Sequence, residues 1–265
     1  RGWRRVPVAG PPASMVVRCG VVFVGGLGVW GVASGTGLRA AGSLGQRAGR
    51  SPFVIGLTFV SVGTGLPEIA NSITHGVGLI LAIAGLGVLI AFASRLGNAW
   101  HIVSCSIFAT TLILQYTFST LYHSIQLPRA KSVMRVLDHS AIFLLSAGTY
   151  TPFMLVNLRG AWGWTLFAVV WSLALLGVLF QVSLLRRWQG ISLSLYIGMG
   201  WVVVVAIKPM LNAVAPGGLA LLLLGGLAYT SGVIFYLWKS LRYHHAIWAG
   251  LVRAGSVLHF VAVLF

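Results

Sequence analysis

The residues able to do chemistry in this chain are few, and most are embedded in apolar sequence. Ser119, His123, Asp138, His139, His245 and His259 are the conspicuous set, with Glu68 and His75 nearer the N-terminus. Asp138 is one of only two acids in the chain. An ionisable group in hydrocarbon is expensive, so each of these positions needs a reason. Neutral imidazoles suit zinc, and a carboxylate can orient or deprotonate a water. A structural reading stands beside the chemical one. Asp138, in Arg135-Val-Leu-Asp138-His139, also fits a helix-start carboxylate favoured by the dipole and by Arg135. His259 reads as an interhelical hydrogen-bonding group, and His101 as a solvated or snorkelling side chain at an interface.

The elements that must position these residues are transmembrane helices. Hydrophobic residues make up 58% of the 265 positions and charged residues 8%, with a mean hydropathy of +0.94. A soluble protein of this size needs far more charge to cover its surface, so the apolar surface here must face lipid. The 18 Lys and Arg against 2 Asp and Glu give a formal charge of +16. Nucleic-acid binding does not follow, because the basic residues stand singly between apolar runs instead of clustering with stacking aromatics. They read as topology signals that also attract anionic lipid headgroups. Cys19 and Cys105 lie in apolar segments without a Cys/His ligand pattern and read as small buried residues.

A span needs roughly 20 apolar residues. Candidates cover about 16–36, 52–66, 70–93, 99–122, 136–157, 161–185, 191–212, 216–238 and 244–265. From residue 70 onward the breaks carry Arg95, then Arg129/Lys131/Arg135, then Arg159, then Arg186/Arg187, then Lys208, then Lys239/Arg242. Low and high basic counts alternate. The positive-inside rule therefore places the start of the 70–93 span in the cytoplasm and the C-terminus outside. The expected fold is all-α: a polytopic seven-helix bundle with one or two extra N-terminal hydrophobic helices.

Residues 1–67 form a separate N-terminal hydrophobic segment. Residues 1–14 read as a truncated or mis-started leader, with no clear cleavage site after the apolar run from Met15. The stretch from Ser51 to Glu68 is interrupted by Gly63, Gly65 and Pro67. It resembles the first signature repeat of the calcium/cation exchanger superfamily, in which a helix break followed by Pro-Glu supplies ion ligands. No second, inverted repeat follows, so this segment reads as appended.

Three motifs in order carry a second resemblance, over residues 68–265. They are Asn71-Ser-Ile-Thr-His75-Gly76; Ser119-Thr-Leu-Tyr-His123, followed after a short basic loop by Leu137-Asp138-His139; and His245-Ala-Ile-Trp with Gly255-Ser-Val-Leu-His259-Phe. This pattern resembles the hemolysin III family, the bacterial branch of the progestin and adipoQ receptor group. The resemblance implies a zinc site near the cytoplasmic end of a seven-helix bundle. His123 and His245 would be ligands, and Asp138 would approach through water. His123 lies four residues after Ser119, on one helix face. The pattern asks for a further histidine four residues after His245, where this chain has Ala249. His259, about 21 Å further along the axis, cannot replace it. His244 points elsewhere on the helix, and His139 is close but is not a ligand in the family pattern.

The function implied is that of a bacterial plasma-membrane protein acting as a zinc-dependent hydrolase on a lipid amide or related bond. Asp138 would act on the water, and Ser119 on developing negative charge. The alternative is a non-enzymatic membrane-homeostasis or pore-forming, cytolytic protein, whose polar cluster holds helices together or binds a small ligand. Cation transport through the Pro67-Glu68 break ranks last, for want of a partner repeat.

Overall fold

In the computed structural model the backbone is described for residues 52–183, 188–241 and 244–265, and side chains from residue 71 onward except at 96, 189, 245 and 246. The candidate span at 16–36 lies outside the described residues. Among the described residues eight α-helices run in order: α1 (Pro52–Leu96), α2 (Ala99–Ser124), α3 (Pro128–Pro152), α4 (Ala161–Val182), α5 (Gln189–Gly200), α6 (Ile207–Ala213), α7 (Pro216–Leu237) and α8 (His244–Val263). Six stretches of the described residues are long and apolar enough to cross a membrane: 71–95, 99–124, 128–157, 161–182, 190–213 and 216–237. The shorter apolar α8 adds the seventh member. The molecule is an all-helical membrane bundle.

α1 shows how the sequence sets the packing. Asn71, His75, Gly78, Ala82, Gly85, Leu89 and Ala93 are buried, at steps of three or four residues that keep one face turned inward. Ile73, Ile80 and Leu81, on the other face, are 62, 68 and 63% exposed, as lipid-facing side chains should be. The small residues on the inner face allow close approach. A Cβ at Gly78 would stand 2.6 Å from the Tyr116 ring of α2, so that ring packs directly on the α1 backbone. Neighbours in sequence pack as neighbours in space, α1 on α2, α2 on α3, α3 on α4 and α7 on α8, and α8 returns against α1.

One expectation fails here. The helix break at Gly63, Gly65 and Pro67 is absent, because α1 is continuous from Pro52 to Leu96. Glycine and proline lower helix propensity, but a span of this length retains enough backbone bonds to run through them. A helix continuous through this stretch has no unwound backbone of the kind that supplies ion ligands, which removes the physical basis of the exchanger-like reading.

Real breaks occur elsewhere. Pro152 lacks an N–H, and after it Phe153–Asn157 widens into a π-turn in which Leu158 N–H bonds Phe153 C=O at 2.8 Å. The fifth of these spans, 190–213, is interrupted by a 3₁₀ segment, Val202–Ala206, between α5 and α6. Backbone groups freed inside a membrane must find partners, and Tyr150 supplies one at each side. Its hydroxyl donates to Gly200 C=O at 2.7 Å and accepts from Val203 N–H at 3.1 Å. Trp201 Nε1 adds a bond to Thr230 of α7 at 3.1 Å.

The two ends of the bundle differ. At the end where α1 closes and α2 opens, Asn98 caps α2 by accepting from Trp100 N–H at 2.9 Å, and His101 Nδ1 accepts from Asn98 N–H at 3.3 Å. His101 is thus a capping residue as well as an interfacial one. Arg159 lies 4.6 Å over the Trp100 ring, and Trp164 packs edge-on to it at 5.8 Å, an aromatic belt with a bound cation. The opposite end carries Arg129, Lys131 and Arg135, where Lys131 sits 5.8 Å over Tyr122.

Replacing Tyr150 by Phe strips both partners from the 3₁₀ break. We expect a loss of about 1–3 kcal/mol, read as a lowered midpoint of thermal unfolding in detergent. An unchanged midpoint would mean that the break is held without Tyr150.

Candidate functional site

Asp138 lies on the third turn of α3 and is 8% exposed. A carboxylate so placed must be hydrogen-bonded, and α2 provides the donors. Gln115 Nε2 donates to Asp138 Oδ1 at 3.1 Å, and the Ser119 hydroxyl bonds the same carboxylate. Gln115 and Ser119 are one turn apart, so a single face of α2 presents both groups to α3. Ser119 and Asp138, two of the residues singled out in the sequence, are thus brought together. Gln115 escaped the sequence reading, although its place four residues before Ser119 in an apolar span was the signal for it. Its carbonyl Oε1 is buried and accepts no hydrogen bond among the described residues, which leaves an acceptor facing the site.

His123 follows one turn after Ser119, near the C-terminal end of α2. Its ring stacks on that of His75 from α1, with centroids 5.6 Å apart and planes 10° from parallel. A bond between Ser72 and Ser124, at 2.5 Å, ties the same two turns together. His75 is buried and its ring lies 6.0 Å from Tyr116, so it belongs to this polar end.

The side chain of His245 lies outside the described residues. Its backbone falls on the first turn of α8, one turn before Ala249. Ala249 is buried, with 1% exposure, so the helix face on which a further histidine was expected is turned into the bundle and carries only a methyl group. One turn deeper on that face stands Arg253, within electrostatic reach of Tyr116. Its Nη1 is buried and has no hydrogen-bond partner among the described residues. Tyr116 also bonds Ser256, whose Oγ lies 2.8 Å from Tyr229 of α7. Deeper still, His259 Nε2 meets Leu222 C=O of α7 at 3.2 Å, the expected interhelical bond.

A second polar chain braces the far side of Asp138. Gln181 of α4 donates to Ser192 and Tyr196 of α5, each at 3.1 Å, and Tyr196 donates to the His139 carbonyl at 2.9 Å. Asp138 and its donors thus sit between two braced walls. They line the polar end of a cavity of about 770 Å³. The same cavity runs on past Thr149, Tyr150 and Thr230 to an apolar region bounded by Phe153, Met154, Met210 and Leu222.

Among the described residues no three His, Cys, Asp or Glu side chains form a ready metal cluster. The donor types, a histidine, a carboxylate and a buried amide oxygen along one cavity wall (His75, Asp138 and Gln115), are ones that zinc accepts, with His123 stacked behind His75.

Comparison with known proteins agrees with this architecture. A haemolysin-III-related family profile matches residues 66–260. The hemolysin-3 homolog of Bacillus subtilis (strain 168) is 48% identical over 198 residues, covering 75% of this chain and 93% of the relative. Hemolysin-3 of Bacillus cereus is 48% identical over 198 residues, with 75% and 90% covered. The human monocyte to macrophage differentiation factor is 25% identical over 204 residues, with 73% and 82% covered. The profile begins inside α1, and none of these matches supports an exchanger-like N-terminal segment. With the profile spanning most of the sequence, the chain belongs to the haemolysin-III-related family.

Proposed function

We propose that the protein is a zinc-dependent hydrolase working inside the membrane on a lipid amide or a related carbonyl bond. One observation carries this reading. Asp138, fixed by Gln115 and Ser119, stands at the polar end of a cavity whose remainder is apolar and large enough for a lipid chain. His123 and His245 are the residues assigned to the metal. Bound zinc supplies a water of lowered pKa and polarises the scissile carbonyl.

The chain's own residues do the rest. Gln115 and Ser119 hold the Asp138 carboxylate in one orientation, so that it can accept a proton from the attacking water. Ser119, which bonds Asp138 in the resting site, is the donor assigned to negative charge developing on the substrate oxygen. Apolar residues such as Met154 and Leu222 take the acyl portion and exclude bulk water from the polar end. Replacing Asp138 by Asn should keep the bond geometry near Ser119 but remove the base. The expected result is a loss of turnover on the order of 10²–10⁴-fold, measured as fatty-acid release from a panel of ceramide-type amides, with bound zinc retained. Equal turnover by the two proteins would rule out Asp138 as the base.

The distribution of basic residues supports one orientation of the site relative to the cell. Arg129, Lys131 and Arg135 lie at the Asp138 end, and Arg95 and Arg159 at the other, which assigns the catalytic end to the cytoplasm and the C-terminus to the outside. Single cysteines introduced at Lys131 and at Arg159, in a background with both native cysteines replaced, provide the check. A membrane-impermeant thiol reagent applied to intact bacterial cells should label position 159 and spare 131; the reverse pattern inverts the topology.

A second reading rests on the names of the bacterial relatives, which describe cytolysis. In that case the bundle perturbs or maintains membranes and the polar cluster only joins helices. Purified protein added to dye-loaded liposomes should then release dye irrespective of Asp138, whereas the hydrolase reading predicts that it does not.

A further inference from the structure

We propose that Arg135 recognises a carboxylate headgroup, and that the amide drawn into the cavity is a long-chain N-acyl amino acid, which rests on the hydrolase reading and narrows its substrate.

The cavity is polarised along one face of one helix. Arg135, Asp138, Ile142, Leu145, Thr149 and Phe153 all line it, at steps of three or four residues along α3 and into the π-turn. From Arg135 to Phe153 the axis covers about 27 Å at 1.5 Å per residue, close to the roughly 30 Å of a hydrocarbon core. The two ends differ in kind. Phe153 and Met154 are buried and apolar, whereas Arg135 is exposed. Arg135 is also the only lysine or arginine among the described residues that lines the cavity. Lys131, one turn earlier, lies over the Tyr122 ring instead. A cationic mouth above an apolar floor fits an anionic amphiphile lying along α3.

Two further observations assign the anion to Arg135. Asp138 is the only acid whose side chain is described, and Gln115 and Ser119 bond its carboxylate. The Arg135 guanidinium therefore has no acidic partner among the described residues, and its forked donors suit a carboxylate. Gly190 of α5 lines the cavity too, is exposed, and has nothing within 4 Å of where a Cβ would stand. Tyr196 of α5 bonds the His139 carbonyl, so the turns that precede them, with Gly190 and Arg135, share one end. Room for a small polar group is present there.

The spacing narrows the class. Arg135 and Asp138 are three residues apart, an axial step of about 4.5 Å. In an N-acyl amino acid three bonds, a path of about 4.3 Å, link the acyl carbonyl carbon to the carboxylate carbon. With the acyl chain running toward Met154, the carbonyl lies beside Asp138 when the carboxylate meets Arg135. Hydrolysis joins the water oxygen to the carbonyl carbon and breaks the bond from that carbon to nitrogen. Both water protons end on the nitrogen, so the products are a fatty-acid carboxylate and an amino-acid zwitterion.

The full chain purified in detergent supplies the test, with N-oleoylglycine and the uncharged N-oleoylethanolamine as probes of equal acyl length. Equilibrium binding, read by tryptophan fluorescence, should favour the glycine amide by about tenfold or more, less as salt is raised. Fatty-acid release should follow the same order. Arg135→Gln should bind both amides alike, and Arg135→Glu should prefer the cationic mono-oleoyl amide of ethylenediamine. Continued binding of the ethanolamine amide by both variants shows that they fold. Equal binding of the two amides by the unaltered chain, or an unchanged preference in Arg135→Gln, overturns the headgroup assignment and leaves the hydrolase reading standing. Binding of neither amide overturns the assignment as well. A glycine-amide preference that vanishes in Arg135→Gln, without cleavage of either amide, upholds the headgroup site and overturns the hydrolase reading instead.

Discussion

A carboxylate buried between two lipid-spanning helices persists only where the protein replaces the water it has lost. Asp138 meets that condition through Gln115 and Ser119, two donors one turn apart on α2. Removing either donor would leave acceptor capacity unsatisfied in a low-dielectric interior, which costs more than the bond itself is worth in water. This interaction fixes the register of α3 against α2 at the functional end, and the other polar contacts follow from that register. Tyr196 reaches the His139 carbonyl because α3 presents that turn inward, and Gln181 and Ser192 hold Tyr196 in place. The stability of the bundle and the position of Asp138 are therefore the same problem.

Packing supplies what the hydrophobic effect cannot. Between helices already in lipid, apolar burial gives little net driving force, so close contact and interhelical hydrogen bonds carry the association. The Tyr116 ring seated on Gly78, the Tyr229 ring at 2.7 Å from a Cβ built on Gly255, and the His259 ring against Gly225 are contacts of this kind. In each case an aromatic or imidazole side chain lies where a glycine has removed the obstacle. Around the 3₁₀ break the same economy holds at the backbone level, with a single hydroxyl serving a carbonyl and an amide.

Much of this was legible in the sequence. Span lengths and basic loops outlined the bundle, and the Ser119–His123 and Leu137–Asp138–His139 motifs singled out residues of helices that pack together, though not the bond between Ser119 and Asp138. Period alone could not supply the rest. Gln115 and Tyr150 look like ordinary polar residues in apolar helices, because their partners are 23 and 53 residues away or further along the chain than any local pattern reaches. The supposed break at Gly63 to Pro67 failed for the opposite reason. Local propensity was read as decisive, whereas a long span keeps its helix through weak residues. His75 was visible as part of an N-terminal motif, but its stacking on His123 depends on the three-four stripe of α1 and on the Ser72–Ser124 bond, both of which need the folded partner helix.

The same face of α8 carries the decisive departure and its consequence. Ala249 removes a donor, and Arg253, one turn further on, introduces a fixed positive charge beside Tyr116. A guanidinium close to a cation site opposes the cation, and with little water between them the opposition is weakly screened. Yet the Tyr116–Ser256–Tyr229 bonds give the region a polar lining that an aliphatic face would lack. A metal at this end of the bundle thus needs more from its neutral and anionic donors than one without such a cation nearby. The buried polar groups at this end come instead from α1, α2 and α3, where His75, Gln115, Ser119 and Asp138 line one cavity, so the chemistry open to the site is set by the packing of those three helices.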